Sequence, residues 1–525
     1  MLFALACTVA LSAAAPDRPA PPRGEPAVRP TVRLGGGGPI GPAAEAHGDC
    51  IPPEERARIE ARVAANRAAL GLDASSVLPP VAPGGNAGGG VAGGDPFDAL
   101  LYRFWPQAGT WFTDLVPPGY VDVDPAVGSF GDYACHPFTY DGHAGIDSGL
   151  HSFEEKAIGV PVFAALDGIV VDRHDGEFDE VVSGVGEANY VIIDHGLGRE
   201  TWYFHLKNGS VSVALGEVVR AGRQVGLTAS SGYSWGPHLH FESRQLGQVF
   251  EPFAGPCRAG ESGFASQPPE SLANAITNVG VTDVDLASVP GLPFPLPHAS
   301  HLSFASDKMY LWLETNNLPA DADWQFVVRR PNGTVAFDTG AYPFFNPTIY
   351  RYAWFWWEFD IPEMQTIAGA WSVDVRFDGV PLLTLPVTVK ATHDPSFNRP
   401  PAAFAAALEP AAPHAEDAIT VRMSGPPVLD DLDGDVVRFQ YQWKVDGSVA
   451  RSVVSAGRSD MLPRLSAAPG QTVTCTVTPS DGVATGTPVT VTVQLPLPCT
   501  ADLNGDGKVD AADLAILLGS WGLCG

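Results

Sequence analysis

The stretch "SWGPHLHFESR", residues 234–244, sets His238 and His240 one residue apart, just after a Gly-Pro pair. The run reads as a strand. Residues i and i+2 of a strand point the same way, so both histidines project from one face, with Cα atoms about 6.6 Å apart at ~3.3 Å rise per residue. Pro237 has a fixed φ and no N–H, which suits the first residue of a strand and helps hold the register of the pair. The spacing lets both imidazoles serve one site, yet is wide for both to meet one metal from a flat strand. The economical expectation is that one binds a metal and the other works beside it.

The remaining ligands must come from elsewhere in the chain. "TYDGHAGIDSG", residues 139–149, offers His143 and Asp147, and the glycines at 142, 145 and 149 favour a bend that brings them together. Two histidines and one aspartate make a three-ligand set with a fourth position left for water, the pattern of a catalytic zinc. No C-x-x-C pair occurs, so a zinc site closed by thiolates is not expected. "YFHL" adds His205 on a preceding strand. His205 and His238 would then flank the metal, either one able to take a proton from a zinc-bound water of pKa about 7 or to hand one to a leaving amine. His136, His151, His174 and His195 read as packed or solvated residues.

"HAGID", "YFHL" and "GPHLHFE" together resemble the signature of the M23 (lysostaphin-like) zinc metallopeptidases. The resemblance spans about residues 96–262. It implies His143, Asp147 and His240 as zinc ligands and His205 and His238 as catalytic histidines. It also implies an antiparallel β-sheet with a narrow groove over the metal, and cleavage of glycyl or D-alanyl bonds in peptidoglycan peptides. A groove that narrow admits backbones with little or no side chain, which gives the glycine preference a physical cause.

Around this segment the 525-residue chain reads as mainly β and multidomain, with 57 glycines and 49 prolines pointing to β domains joined by extended linkers. The formal charge of −28 disfavours nucleic acid or an anionic membrane surface as partner. Residues 1–15 resemble a secretory signal peptide, with a lipoprotein at Cys7 as the less favoured alternative. No stretch reaches the ~18 apolar residues of a transmembrane span. Residues 16–95 read as a low-complexity region: 16–52 disordered, a lone charged helix at 53–72, and a Gly/Pro linker at 79–94.

After the M23-like domain at 96–262 come a linker at 263–292, a β-sandwich at 293–392, a linker at 393–417 and an immunoglobulin-like β-sandwich at 418–494. In an exported chain disulfides are the default, with Cys499–Cys524 the best pair and Cys135–Cys257 the next.

The tail "DLNGDGKVDAAD", residues 502–513, places oxygen ligands at Asp502, Asn504, Asp506, Asp510 and Asp513, with the Lys508 carbonyl between them. It resembles a single EF-hand/dockerin-like calcium-binding repeat over 499–525. That implies Ca²⁺ and a cell-surface or cohesin-like partner.

The reading as a whole is a secreted, periplasmic or cell-surface zinc endopeptidase acting on peptidoglycan peptides. Two alternatives stand beside it. One is a non-catalytic wall-binding scaffold with a peptidase-like domain. The other is a peptidase of other Gly-rich proteins.

Overall fold

The computed structural model describes residues 31–39, 50–72, 101–344, 349–425, 428, 430–497 and 511–519. The calcium-loop positions Asp502, Asn504, Asp506, Lys508 and Asp510, the Cys499–Cys524 pair, the signal segment and the Gly/Pro linker lie outside them. Of the loop, Asp513 is described.

The sheet that carries the site is antiparallel throughout. Its strands run in the order Gln248–Val249, His238–Gln245, Arg199–Phe204, Tyr190–Asp194, Gly168–His174 and Val218–Val219, and Ile146–Gly149 pairs with His238–Gln245 off this path. Strands such as "YVIID" are buried at every position, because both faces of the sheet are covered. One face packs on the domain core of Tyr203, Phe241, Val191 and Ile193. The other, carrying Tyr190, Ile192, Trp202 and Phe204, is covered by the helix α1, Pro53–Leu70, through Ile59 and Val63. Cys135 and Cys257, 122 residues apart, form a disulfide across the domain.

Downstream, a four-stranded sheet (Thr31–Pro39, Tyr350–Asp360, Met309–Leu318, Ala275–Thr282) and a six-stranded one share a core that includes Trp324, Phe326, Phe355, Trp357 and Trp371. In the six-stranded sheet the run Gly369–Phe377 buries alternate residues, as a strand with one face on the core must. A third unit pairs a three-stranded with a four-stranded sheet over Val421, Tyr441, Trp443, Val473, Cys475 and Val477. It docks on the domain that holds the site-bearing sheet. The Arg458 N–H donates to Asp114 at 2.7 Å, and Arg464 pairs with Asp167 at 2.9 Å.

Two expectations for the N-terminal region need correction. Thr31–Pro39 is not disordered: it forms the edge strand paired with Tyr350–Asp360, since glycines supply ladder hydrogen bonds as well as other residues do and the aromatic partner supplies the side chains. The charged helix at 53–72 is not alone either, because its apolar face is buried on the site-bearing sheet.

Candidate metal centre

The strand His238–Gln245 is the hub. Its register places Asp147 opposite His240 and Gly149 opposite His238 on one side, and Phe204 opposite His240 on the other. Three segments far apart in sequence therefore meet at one point. Gly145 makes the approach possible: a Cβ there would stand 2.5 Å from His240 Cε1. His205 follows directly on the strand Arg199–Phe204 with φ of 62°, in the left-handed region that residues other than glycine occupy only uncommonly. Such strain is characteristic of residues held for function.

The candidate ligand atoms are close-set. His143 Nε2 lies 3.2 Å from Asp147 Oδ1, His240 Nδ1 lies 2.9 Å from the same oxygen, and the two ring nitrogens are 3.4 Å apart. Ligands at 2.0–2.3 Å from a tetrahedral zinc stand about 3.3–3.7 Å from one another; the nitrogen–nitrogen separation lies in that range and the two contacts to Asp147 are shorter by about 0.1–0.4 Å, so a single ion would fit once Asp147 moves back slightly.

The far nitrogens are also engaged. His143 Nδ1 donates to the Tyr120 carbonyl at 2.7 Å, and His240 Nε2 donates to Glu242 at 3.1 Å. Those bonds turn His143 Nε2 and His240 Nδ1 inward, as outer partners of metal-binding imidazoles do. Glu242 is held in turn by the two terminal nitrogens of Arg56, at 2.9 and 2.7 Å, and by Arg244 at 3.2 Å.

His205 and His238 sit beside the trio, their rings 4.5 Å apart. His205 Nδ1 donates to the Ser231 carbonyl at 2.6 Å, and its Nε2 is buried with no hydrogen-bond partner among the described residues. His238 Nδ1 donates to the Gly236 carbonyl at 2.9 Å, leaving Nε2 3.6 Å from Asp147 Oδ1. All five residues singled out from the sequence are thus in one cluster.

The sequence reading set cysteine aside as a ligand, yet Cys50 is in the same cluster. Its Sγ lies 3.6 Å from Asp147 Oδ2 and 2.6 Å from the Tyr140 hydroxyl. One donor atom each from Cys50, His143, Asp147 and His240 all fall within 4.8 Å of one another. Tyr140 stacks on the His143 ring with centroids 4.2 Å apart and reaches Asp147 Oδ2 at 3.3 Å. The absence of a local cysteine motif hid Cys50. A count narrows the search without assigning a role: once two disulfide pairs are drawn, Cys50 and Cys475 are left over, and an unpaired cysteine in an exported chain is a candidate reactive thiol.

Electrostatics also favours a cation here. Burial works against charge on Asp147, but His143 and His238 overcome it and hold the carboxyl well below its ordinary range. Burial would lower His143, and Asp147 instead lifts it to about 10. His240 is raised well above its ordinary value, against burial, by Asp147, Cys50 and Glu242. Burial and Asp147 oppose ionisation of the Cys50 thiol, yet the surrounding imidazoles bring it well below the usual thiol range. His205 is lowered by burial and by His238. Buried anions drawing protons onto their neighbours form a donor set whose charge a divalent ion would balance, and the nitrogen, oxygen and sulfur donors fit zinc.

Comparison with known proteins bears on this segment alone. Residues 142–252 match Peptidase family M23. The DD-carboxypeptidase/endopeptidase Mpg of Neisseria meningitidis serogroup B is 38% identical over 122 residues, 23% of this chain and 24% of that protein. Lysostaphin of Staphylococcus staphylolyticus is 34% identical over 110 residues, 21% of each chain. A zinc-containing peptidase from Vibrio cholerae aligns in structure with 25% identity over 27% of this chain and 39% of its own, at a TM-score of 0.19. The chain therefore spans about a quarter of the length of the curated relatives it matches. The matched segment supports an enzyme of the M23 metallopeptidase kind.

Proposed function

We propose that the chain is a secreted zinc metalloendopeptidase that hydrolyses glycyl or D-alanyl peptide bonds in peptidoglycan. One observation carries the reading: His143 Nε2, Asp147 Oδ1 and His240 Nδ1 converge within 3.4 Å, with two further imidazoles at their side. His143, Asp147 and His240 would hold the zinc. A zinc ion held there would supply Lewis acidity, able to polarise a carbonyl and to activate water near neutral pH.

The chain's own residues do the rest. His205 and His238 each donate through Nδ1 to a backbone carbonyl, which leaves Nε2 as the lone pair facing the centre. One takes the proton from the attacking water and passes it to the departing amine. Glu242 and the Tyr120 carbonyl keep the ligating imidazoles in one tautomer and orientation. The Cys135–Cys257 disulfide and the names of the relatives support an extracellular or periplasmic site of action. No helix among the described residues is long and apolar enough to cross a membrane.

For the C-terminal residues we propose a calcium-binding, dockerin-like repeat that attaches the enzyme to a surface or cohesin-like partner. Its support is the ligand spacing at Asp502, Asn504, Asp506, Lys508, Asp510 and Asp513. The two downstream β units are proposed as immunoglobulin-like spacers.

One observation favours a second reading. Cys50 offers a fourth donor atom within 4.8 Å of those of His143, Asp147 and His240, and sites closed by four protein ligands are characteristically structural. A wall-binding scaffold would look this way. Digestion of defined wall peptides, read by mass spectrometry, separates the two. The enzyme cuts them, and His205→Ala abolishes cutting while zinc stays near one per chain. Inert zinc-loaded protein, with Cys50→Ala equally inert, would establish the scaffold.

A further inference from the structure

Resting on the metal-centre reading above, we propose that Cys50 is a fourth metal ligand and that residues 50–71 are a docked inhibitory strap which keeps the enzyme latent. The sulfur lies 3.6 Å from Asp147 Oδ2 and 4.0 Å from His238 Nε2, between the ligand trio and the flanking histidines. Cys50 belongs to two donor clusters at once, one with His143, Asp147 and His240 and the other with His205 and His238. As a fourth ligand it would fill the place where a scissile peptide has to present its carbonyl. The buried, unpartnered Nε2 of His205 marks the same space as built for a further group.

The rest of the strap explains why the thiol stays there. Ile51 is 1% exposed, and Pro52 and Pro53 lead without slack into α1, whose first position tolerates proline because no helical N–H is needed there. Ile51, Ile59 and Val63 are buried against Val171, Tyr190, Ile192, Trp202 and Phe204.

Charge fixes the register. Arg56 grips Glu242 with two nitrogens, Arg62 meets Asp172 at 3.0 Å, and Arg67 meets Glu200 at 2.7 Å and Asp194 at 3.1 Å. In the opposite direction, Glu60 accepts from Arg244 at 2.7 Å. Gly71, at φ of 72°, ends the helix in a left-handed cap. The strap thus presses on the metal centre twice: directly through Cys50, and from behind through the Arg56–Glu242–His240 chain.

Opening requires the strap to lift. The metal–sulfur bond breaks, the thiolate leaves with its electron pair and takes up a proton from solvent, and a water molecule takes its place. A strap that leaves the centre open for about 0.1–10% of the time lowers turnover by the reciprocal of that fraction.

The test uses the full chain loaded with Co²⁺ for spectroscopy and with Zn²⁺ for hydrolysis of a pentaglycine or D-alanyl cross-bridge peptide. The wild-type Co²⁺ protein should show a thiolate-to-metal charge-transfer band in the near ultraviolet, absent in Cys50→Ala. Ile59→Asp, which undocks the strap while keeping the thiol, should lose the band as well. Both variants should cut at least about tenfold faster than wild type, given an open fraction under 10%. A wild-type spectrum without the band overturns the ligand assignment. A band that is present, with Cys50→Ala no faster than a measurably active wild type, overturns the inhibitory role. Variants that lose the band but cut nothing overturn the peptidase reading instead, and Cys50 ligation then stands on its own.

Discussion

Two free cysteines are buried among the described residues, and they are chemical opposites. Cys475 lies in the strand Thr472–Ser480, opposite Trp443, inside an apolar core with Val421, Tyr441 and Val477. Burial, with the Asp460 charge nearby, pushes its thiol well above the ordinary range. Cys50 is buried too, yet the imidazoles of His143, His205 and His238 around it bring its thiol down. Exposure does not separate the two. What separates them is whether the groups facing the sulfur can donate a proton or share a cation. The same contrast divides the molecule: the downstream cores fill space, whereas the peptidase-like sheet surrounds a cluster of polar side chains that are costly to bury unless something binds them together.

The sharpest way to break the contrast is to remove what faces Cys50. Asp147→Asn takes away the carboxylate shared by His143 and His240. Zinc measured by plasma emission should fall from near one per chain toward zero, and peptide hydrolysis should drop by about 10²–10³-fold, the scale of losing one preorganised charge at a reacting centre. Full zinc with undiminished hydrolysis would show that the trio is not the site.

A smaller effect is expected one layer out. Glu242→Gln keeps the shape of the side chain but leaves Arg56 and Arg244 without a buried anion and weakens the bond that orients His240. Zinc affinity, measured by competition with a chromophoric chelator, should weaken by about 10–100-fold. The Arg56 contact links the same substitution to the strap, so the Co²⁺–thiolate band should weaken with it.

The site was legible where its chemistry is local. His238 and His240 alternate along one strand, and the glycines around His143 and Asp147 announce the bend that Gly145 makes tight. The role of Cys50 was not legible, because its partners lie 90 to 188 residues away and nothing in "DCIPPEE" looks like a ligand motif. The strand Thr31–Pro39 was hidden for a related reason. Its glycines give no period-2 pattern, and its pairing is decided by the aromatic-rich partner Tyr350–Asp360 more than 300 residues on. The helix at 53–72 was readable as a helix but not as a docked one, since its apolar stripe is narrow and the arginines that secure it look like solvated charge until Glu242, Asp172 and Glu200 are seen beneath them.

His151 offers a pH test of the contrast away from the metal. Burial would lower it, but Glu155 and Glu314 raise it to about 9, with Glu155 Oε1 3.0 Å from its Nδ1. Its folded-state pKa lies above the unfolded value of about 6.5. The stabilisation is therefore fully present below pH ~6.5 and is lost as pH rises toward 9, with an upper bound of about 3 kcal/mol. Thermal melts of wild type and His151→Gln should differ most at pH 6 and converge by pH 9.5. A difference independent of pH would show that His151 is neutral in the folded chain.

The smallest effect belongs to Cys475, and it closes the comparison from the apolar side. Cys475→Ala removes one buried sulfur from a packed core and should cost about 1–2 kcal/mol in urea unfolding, from lost transfer energy plus a small cavity. Cys475→Ser adds the burden of a hydroxyl without a guaranteed partner, and should cost about 1–3 kcal/mol although it is nearly isosteric. Neither change touches the metal centre, so zinc content, the Co²⁺–thiolate band and hydrolysis should all match wild type. If Cys475→Ala weakened zinc binding while Cys50→Ala left it unchanged, the assignment of roles to the two buried thiols would be reversed. The rule drawn from them, that facing groups rather than burial decide a cysteine's chemistry, would then have to be rebuilt from the other sulfur.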